Sequence, residues 1–333
     1  MMSDMRLAIG TEKGGYLLAD DGTVEGPLFA GWKVTAWGRR AGRTYAALAS
    51  NWFGASIHRS DDLEVWTQVD AGPEYGEGRK LEQIWVIREV GDRLLAGVAE
   101  AGLFASDDGD AWTPVEAFNE YPGRNDWSPG LGGLATHHIL AATGTIWLGV
   151  SAVGVFRSDD DGGHFARKDE GVTPVVEDGH CVHGIALDPE RPGFLWRQDH
   201  SGVYRTDDGG DHWERCETGL PAAFGFPMIR DHASGRLFVV PLESDGNRLP
   251  VGGRFAAYRS DDDGDSWEIS GTGWADAPQY TTVLRNAATG NCDGTIVLGT
   301  TGGSVWRTDD AGEHWWSLPH VFPRILAVAL LPG

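Results

Sequence analysis

Cysteine is scarce in this chain: Cys181, Cys216 and Cys292 are the three among 333 residues. An odd, sparse set makes no disulfide framework, so the expectation is a reducing compartment. No apolar run approaches the ~20 residues of a membrane-spanning helix; the longest clean one is Ile325 to Leu331. The amino terminus, MMSDMRLAIG, has no apolar core of signal-peptide length. Basic residues are few as well, 27 Lys+Arg against 49 Asp+Glu, for a formal net charge of −22. A field of that sign repels phosphate backbones and anionic lipid surfaces, which argues against nucleic acid and membranes as partners. Convincing amphipathic helices are missing too. The combined expectation is a cytoplasmic protein kept in solution by its surface acid.

Glycine and tryptophan are abundant, with 48 Gly and 15 Trp. That pairing suits many short strands, tight turns and a large aromatic packing element in each repeat. The length would ordinarily suggest about two domains, but six segments share one pattern. They are SDDLEVW from Ser60, SDDGDAW from Ser106, SDDDGGHF from Ser158, TDDGGDHW from Thr206, SDDDGDSW from Ser260 and TDDAGEHW from Thr308. The last four fit Ser/Thr-x-Asp-x-Gly-x-x-Trp/Phe; the first two are one residue shorter, and the first has lost its Gly. A period near fifty with strand-like flanks belongs to propellers rather than helical solenoids.

The pattern resembles the Asp box, or BNR repeat, of sialidases, sortilins, xyloglucanases and the photosystem II assembly factor. The resemblance covers nearly the whole chain and implies an all-β propeller, with Asp62, Asp108, Asp160, Asp208, Asp262 and Asp310 as structural box residues. The carboxylate is expected to accept backbone N–H bonds inside the turn. The Gly allows positive φ, and the aromatic buries against the neighbouring repeat. The acidic runs lack the alternating ligands and the twelfth-position Glu of a calcium loop.

Four strands recur around each box. In the third repeat they begin at Ile84, Arg93, Gly102 and Trp112; in the fourth at His137, Thr145, Gly154 and His164; in the fifth at Cys181, Phe194, Gly202 and Trp213; in the seventh at Tyr280, Thr295, Ser304 and Trp315. The start, from Arg6, supplies three strands with a decayed box, and the end, Ile325–Leu331, supplies one strand with no partner after it. Together they complete a blade. The expectation is a single seven-bladed propeller domain over residues 1–333, its four-stranded antiparallel blades closed by pairing Ile325–Leu331 beside Leu7–Gly10.

In propellers, the connections from outermost to innermost strand, and from second to third strand, gather at one mouth of the channel. A long connection, Phe118 to Thr136, is expected there, with Arg124, Asn125, Asp126 and Trp127 as contact residues. A second long insert, residues 243–255, separates the second and third strands of blade six. Of eleven histidines, His164, His212 and His314 precede the box aromatic and read as structural; His58 falls on a strand and His232 on the opposite face. The remaining six, His137, His138, His180, His183, His200 and His320, all fall at the expected mouth. Five of them belong to blades four and five, where Asp178 and Asp199 also lie. Imidazoles with carboxylates suit a divalent transition metal such as zinc or manganese, with His180, His183 and His200 as ligands, or acid–base chemistry. Strand alternation sends His137 and His138 to opposite faces, so one of the two is expected at the site. Trp127 is expected to fold over as an apolar wall.

A sialidase would require an arginine cluster, a Tyr nucleophile with a Glu partner, and an early Phe-Arg-Ile-Pro motif. Phe322-Pro323-Arg324-Ile325 scrambles those letters at the wrong end. Xyloglucanases place their acids between two propellers, and this chain supplies one. The favoured reading is therefore a propeller that binds a small polar ligand or a protein partner at the channel mouth. The alternative is a hydrolase or lyase acting on a carbohydrate, or another small polar substrate, through the His-rich sector.

Overall fold

The computed structural model describes residues 5–76, 79, 81–130, 132–174, 180–290 and 293–332. Asp178 and Cys292 lie outside the described residues. The chain forms seven four-stranded antiparallel sheets, each running in chain order from the channel outward. Blade five shows the unit: Val182–Leu187 innermost, then Leu195–Asp199, Gly202–Thr206 and Glu214–Arg215. Blade one is the exception in connectivity. Its innermost strand is Ile325–Pro332, which pairs antiparallel with Met5–Thr11 in the register Leu7↔Leu330 and Ile9↔Val328. The expected closure is thus present: the last strand completes the blade that the first three begin.

The apolar core lies in the seams between blades. Between blades four and five, Trp147 and Val155 meet Ile185, Leu195, Tyr204 and Trp213. Between five and six, Trp196 and Val203 meet Met228, Leu237, Val239 and Trp267.

The repeated Asp turn stitches these seams. Asp208 Oδ1 accepts from the His212 amide at 3.0 Å and from Thr206 Oγ1 at 2.7 Å, while the Gly210 amide donates to Thr206 Oγ1 at 3.1 Å. The same carboxylate-to-amide bond recurs at Asp62, Asp108, Asp160, Asp262 and Asp310. Two successive residues take positive φ, Gly209 (77°) and Gly210 (97°); in blade two, Leu63 (64°) turns the chain where the Gly is lost. The turn then delivers Trp213, 1% exposed, whose Nε1 donates to the Lys168 carbonyl of blade four at 3.0 Å. Trp267 Nε1 reaches back to the Cys216 carbonyl in the same way, and Trp315 Nε1 donates to the Ser270 hydroxyl.

Three expectations are corrected. The innermost strand of blade seven is Ala288–Gly290 rather than a run from Tyr280, because residues 285–287 form a 3-10 turn crossing the channel end, where the Asn286 amide nitrogen donates to the Trp85 carbonyl of blade three. His320 lies on the outermost strand Trp316–Val321, because that strand runs two residues further than its WWSLP segment. The Phe118–Thr136 connection opens with a short helix, Glu116–Asn119, and a 3-10 turn, Arg124–Asp126.

Candidate functional site

The innermost strands share an irregularity that sequence alternation does not reveal. The pairing register slips by one residue at Thr35, Trp85, His137 and His183, and again around Phe226. A bulge leaves its residue unpaired and re-aims the side chain. Here it turns one side chain from each of five successive blades toward its neighbour. Thr35 Oγ1 donates to the Ile84 carbonyl at 2.7 Å, and His183 Nδ1 bonds the Gly225 carbonyl at 2.7 Å. Each acceptor is the residue just before the next blade's bulge. Gly97 makes room for the same approach, since a Cβ there would stand 2.4 Å from the Thr136 carbonyl oxygen.

The bulge brings His183 to His200, with ring centroids 5.5 Å apart. Cys181, two residues upstream, completes a group in which Sγ and one nitrogen of each imidazole lie within 4.8 Å of one another. Phe226 stacks on His183 at 4.7 Å, and Phe224 packs against both imidazoles at 5.2 Å. Burial pushes the Cys181 thiol up, but hydrogen bonding to His183 and His200 and the nearby Arg285 outweigh it and hold the thiol at about 5. The reciprocal bond to Cys181 raises His200. Cys216, buried in the seam between blades five and six, is pushed up to about 12 by burial.

Arg285 sits beside this group. Its Nη2 donates to Ser151 Oγ at 3.0 Å, and Ser151 Oγ is 3.6 Å from Cys181 Sγ. The guanidinium carbon lies 5.6 Å from the Trp85 ring and 5.5 Å from Phe226, and Arg248, from the blade-six insert, approaches Phe226 at 5.4 Å. Burial lowers Arg285 below the usual arginine value. Among the described residues Arg285 has no Asp or Glu ion-pair partner, whereas Arg248 is bound to Asp245 at 2.6 Å. Arg285 and Asn286 also help line a channel cavity of about 450 Å³ with His137, His138, Arg88, Arg230 and His232; it reaches the far ends of the innermost strands, toward the face opposite the expected mouth.

His137 and His138 do not point apart. The bulge at His137 cancels the alternation, and the two Nδ1 atoms stand 2.6 Å from each other. Burial, then the charge of Arg285, drives both imidazoles down, His138 to about 3. The two rings are hydrogen-bonded to each other, and burial favours the neutral form of both.

The other expected residues are dispersed. His180 is not with His183 and His200; it lies nearer Asp169 and Arg197, lowered chiefly by burial, and Cys181 takes its place in the metal-competent group. Asp199 is buried in an ion pair with Arg197, which also binds Asp169 at 2.6 Å, and Asp199 accepts from the Ser201 amide at 3.2 Å. Arg124 donates to the Glu100 carbonyl at 3.0 Å and stacks on Trp127 at 5.1 Å, which pins the long connection to blade three. Trp127 packs on Phe118, Tyr121 and Phe156, and lines a neighbouring hollow of about 530 Å³ with Trp85, Glu100 and Lys33. It does not cover the histidines. Asp126 is exposed. Sequence reasoning missed Cys181 as a site residue, although its place two positions before His183 was a signal. It missed Arg285 and Trp85 without any local signal, since their positions depend on a bulge and on a turn that crosses the channel.

No protein-family model matches the sequence, and no curated protein matches it. Solved structures do. The extracellular domain of the putative hybrid two-component system BT4673 from B. thetaiotaomicron aligns over 96% of this chain and 52% of its own, with 10% identity and a TM-score of 0.54. An ancestral GH74 enzyme aligns over 82% of this chain and 36% of its own, with 14% identity and a TM-score of 0.55. The chain thus spans about half of the first and about a third of the second. YCF48 bound to D1 peptide aligns over 89% of this chain and 93% of its own, with 10% identity and a TM-score of 0.54. The likeness is one of fold.

Proposed function

We propose that this propeller is a binding protein that takes an anionic group, a carboxylate on a small polar ligand or on a partner chain, at Arg285. The observation that carries the reading is the guanidinium itself: held between Trp85 and Phe226, bonded to a serine hydroxyl, with the Cys181 sulfur beside it and no carboxylate partner among the described residues. A cation removed from bulk water gains most from a counter-charge in a fixed geometry, and arginine's planar fork suits a carboxylate. Arg248, on the same Phe226 ring, is already paired with Asp245, so Arg285 is the guanidinium left for a ligand there. A propeller of nearly the same extent, YCF48, is known bound to a peptide, which is the class of behaviour proposed here. The alternative, carbohydrate hydrolysis or elimination through the His-rich sector, has less support. Asp199 and Asp169 are both committed to Arg197, so neither is a free acid or base beside the imidazoles.

Calorimetric titration with small carboxylates, and with peptides bearing a free or an amidated terminus, tests the reading. Arg285→Gln is expected to weaken carboxylate binding roughly tenfold or more, the order of a lost charge-assisted bond, and Arg124→Gln to leave it unchanged. Binding indifferent to Arg285→Gln, or equal for acid and amide, would refute it.

A further inference from the structure

We propose that Cys181, His183 and His200 form a binding site for a borderline-soft transition-metal ion, zinc(II) foremost, with one coordination position left open. The inference goes beyond the anion reading and does not depend on it.

The geometry comes first. One sulfur and two imidazole nitrogens lie within 4.8 Å of one another. Ligands about 2.3 Å (sulfur) and about 2.0–2.1 Å (nitrogen) from a shared zinc ion are separated by roughly 3.4–3.8 Å. Closing the group around an ion therefore takes a contraction of about 1 Å, within reach of side-chain rotation. Thiolate and imidazole favour zinc and copper over magnesium or calcium. The hard oxygen ligands those other ions need are committed elsewhere, Asp199 to Arg197 and Asp245 to Arg248.

The surroundings are those of a metal ligand. A carbonyl oxygen only accepts, so the bond to Gly225 places the His183 proton on Nδ1 and frees Nε2 to ligate. A ligating histidine commonly donates its other N–H in this way, which fixes both ring and tautomer. Phe224 and Phe226 wedge the two imidazoles and give the site an apolar wall. Cys181 and His200 remain partly exposed, which leaves an entry path.

The test uses full-length protein without a histidine tag, reduced, stripped with a chelator, and titrated with zinc(II) against a chromophoric chelator. Cobalt(II) is added in parallel and followed by absorption. One equivalent of zinc should bind, and the cobalt form should show a thiolate-to-cobalt charge-transfer band. Cys181→Ser should abolish the band, His200→Gln should weaken zinc binding roughly tenfold or more, and Cys216→Ser should change neither. His200 is partly exposed, so His200→Gln should keep the wild-type melting temperature without metal. The inference is overturned by the absence of stoichiometric zinc uptake, by a cobalt spectrum without the thiolate band, or by a band that survives in Cys181→Ser. Arg285→Gln should still bind one zinc, so loss of the anion site and loss of the metal site are told apart.

Discussion

Thr206–Trp213 and Cys181–His183 sit at opposite corners of the same blade. In the first, polar groups find their partners within eight residues: Thr206 with Asp208, Asp208 with the His212 amide, Gly210 with Thr206. In the second, partners also come from other blades: Ser151 of blade four for Cys181, Gly225 of blade six for His183. A turn satisfied by its own residues can be copied from blade to blade, and this one is. A corner satisfied by its neighbours can keep its bulge from blade to blade, but its chemistry depends on which blades flank it. The comparison predicts that damage to the first corner costs stability and damage to the second costs binding.

Removing residues 325–333 should have the largest effect. It strips the innermost strand from blade one and exposes the edge of Met5–Thr11, so the product should aggregate. A soluble monomer with an unchanged melting temperature would show that the ring does not depend on this strand. Trp213→Ala should follow, destabilising by about 3–5 kcal/mol through lost aromatic burial and leaving the Lys168 carbonyl without its indole donor. Denaturant titration measures the loss, and alkylation of Cys181 in the folded variant should be unaltered. A Trp213→Ala protein that loses thiol reactivity while folded would join the two corners that the comparison separates.

The pH dependence sharpens the inner corner. His137 and His138 have folded-state pKa values depressed below the unfolded 6.5. As pH falls, the unfolded chain takes up these protons first, so stability declines from about pH 6.5 downward and the loss continues toward the His138 value of about 3. His138→Gln should flatten the decline between pH 6.5 and 4; an equally steep curve would assign it to other groups. The Asp turns titrate later. Their carboxyls are also depressed, Asp160 to about 2 with His164 as the first cause, so their contribution is complete above the unfolded value of 3.8 and is lost as pH falls toward 2.

Asp208→Ala should cost least, about 0.5–1.5 kcal/mol, the net worth of one hydrogen bond. The structure puts Asp208 and the His212 amide at the surface, where water replaces the lost acceptor. Finally, iodoacetamide near pH 6 should label Cys181 far faster than Cys216, at about 5 against about 12, with no change in melting temperature for Cys181→Ser. Equal labelling rates would remove the distinction between the two thiols.

The blades were legible because their information is local and redundant. Six Asp turns at one period, alternating strands between them, and three strands at one end with one at the other leave few arrangements besides seven blades and a closed ring. Within the candidate site, His183 and His200 were legible as polar residues that the repeat does not explain. Their partners were not. Alternation places His137 and His138 on opposite faces, and the bulge at His137 puts their rings together. Asp199 reads as a free carboxylate until Arg197, two residues away on the same strand, is found turned onto it in a sealed seam. Trp127 reads as a lid because it sits in the longest connection, yet Phe118, Tyr121 and Phe156 hold it down.

By itself, then, the sequence determined the architecture, since each turn satisfies its own hydrogen bonds and each Trp carries its own apolar surface into the next seam. Only the tertiary structure decided the chemistry. Register slips in five innermost strands turn Thr35, Trp85, His137, His183 and Phe226 toward their neighbours, and a 3-10 turn from blade seven sets Arg285 beside Ser151 and Cys181. None of those partners is near in sequence. The physical reason is that a buried polar side chain takes its pKa, its tautomer and its charge from whatever atoms closure of the ring places within a few ångströms of it.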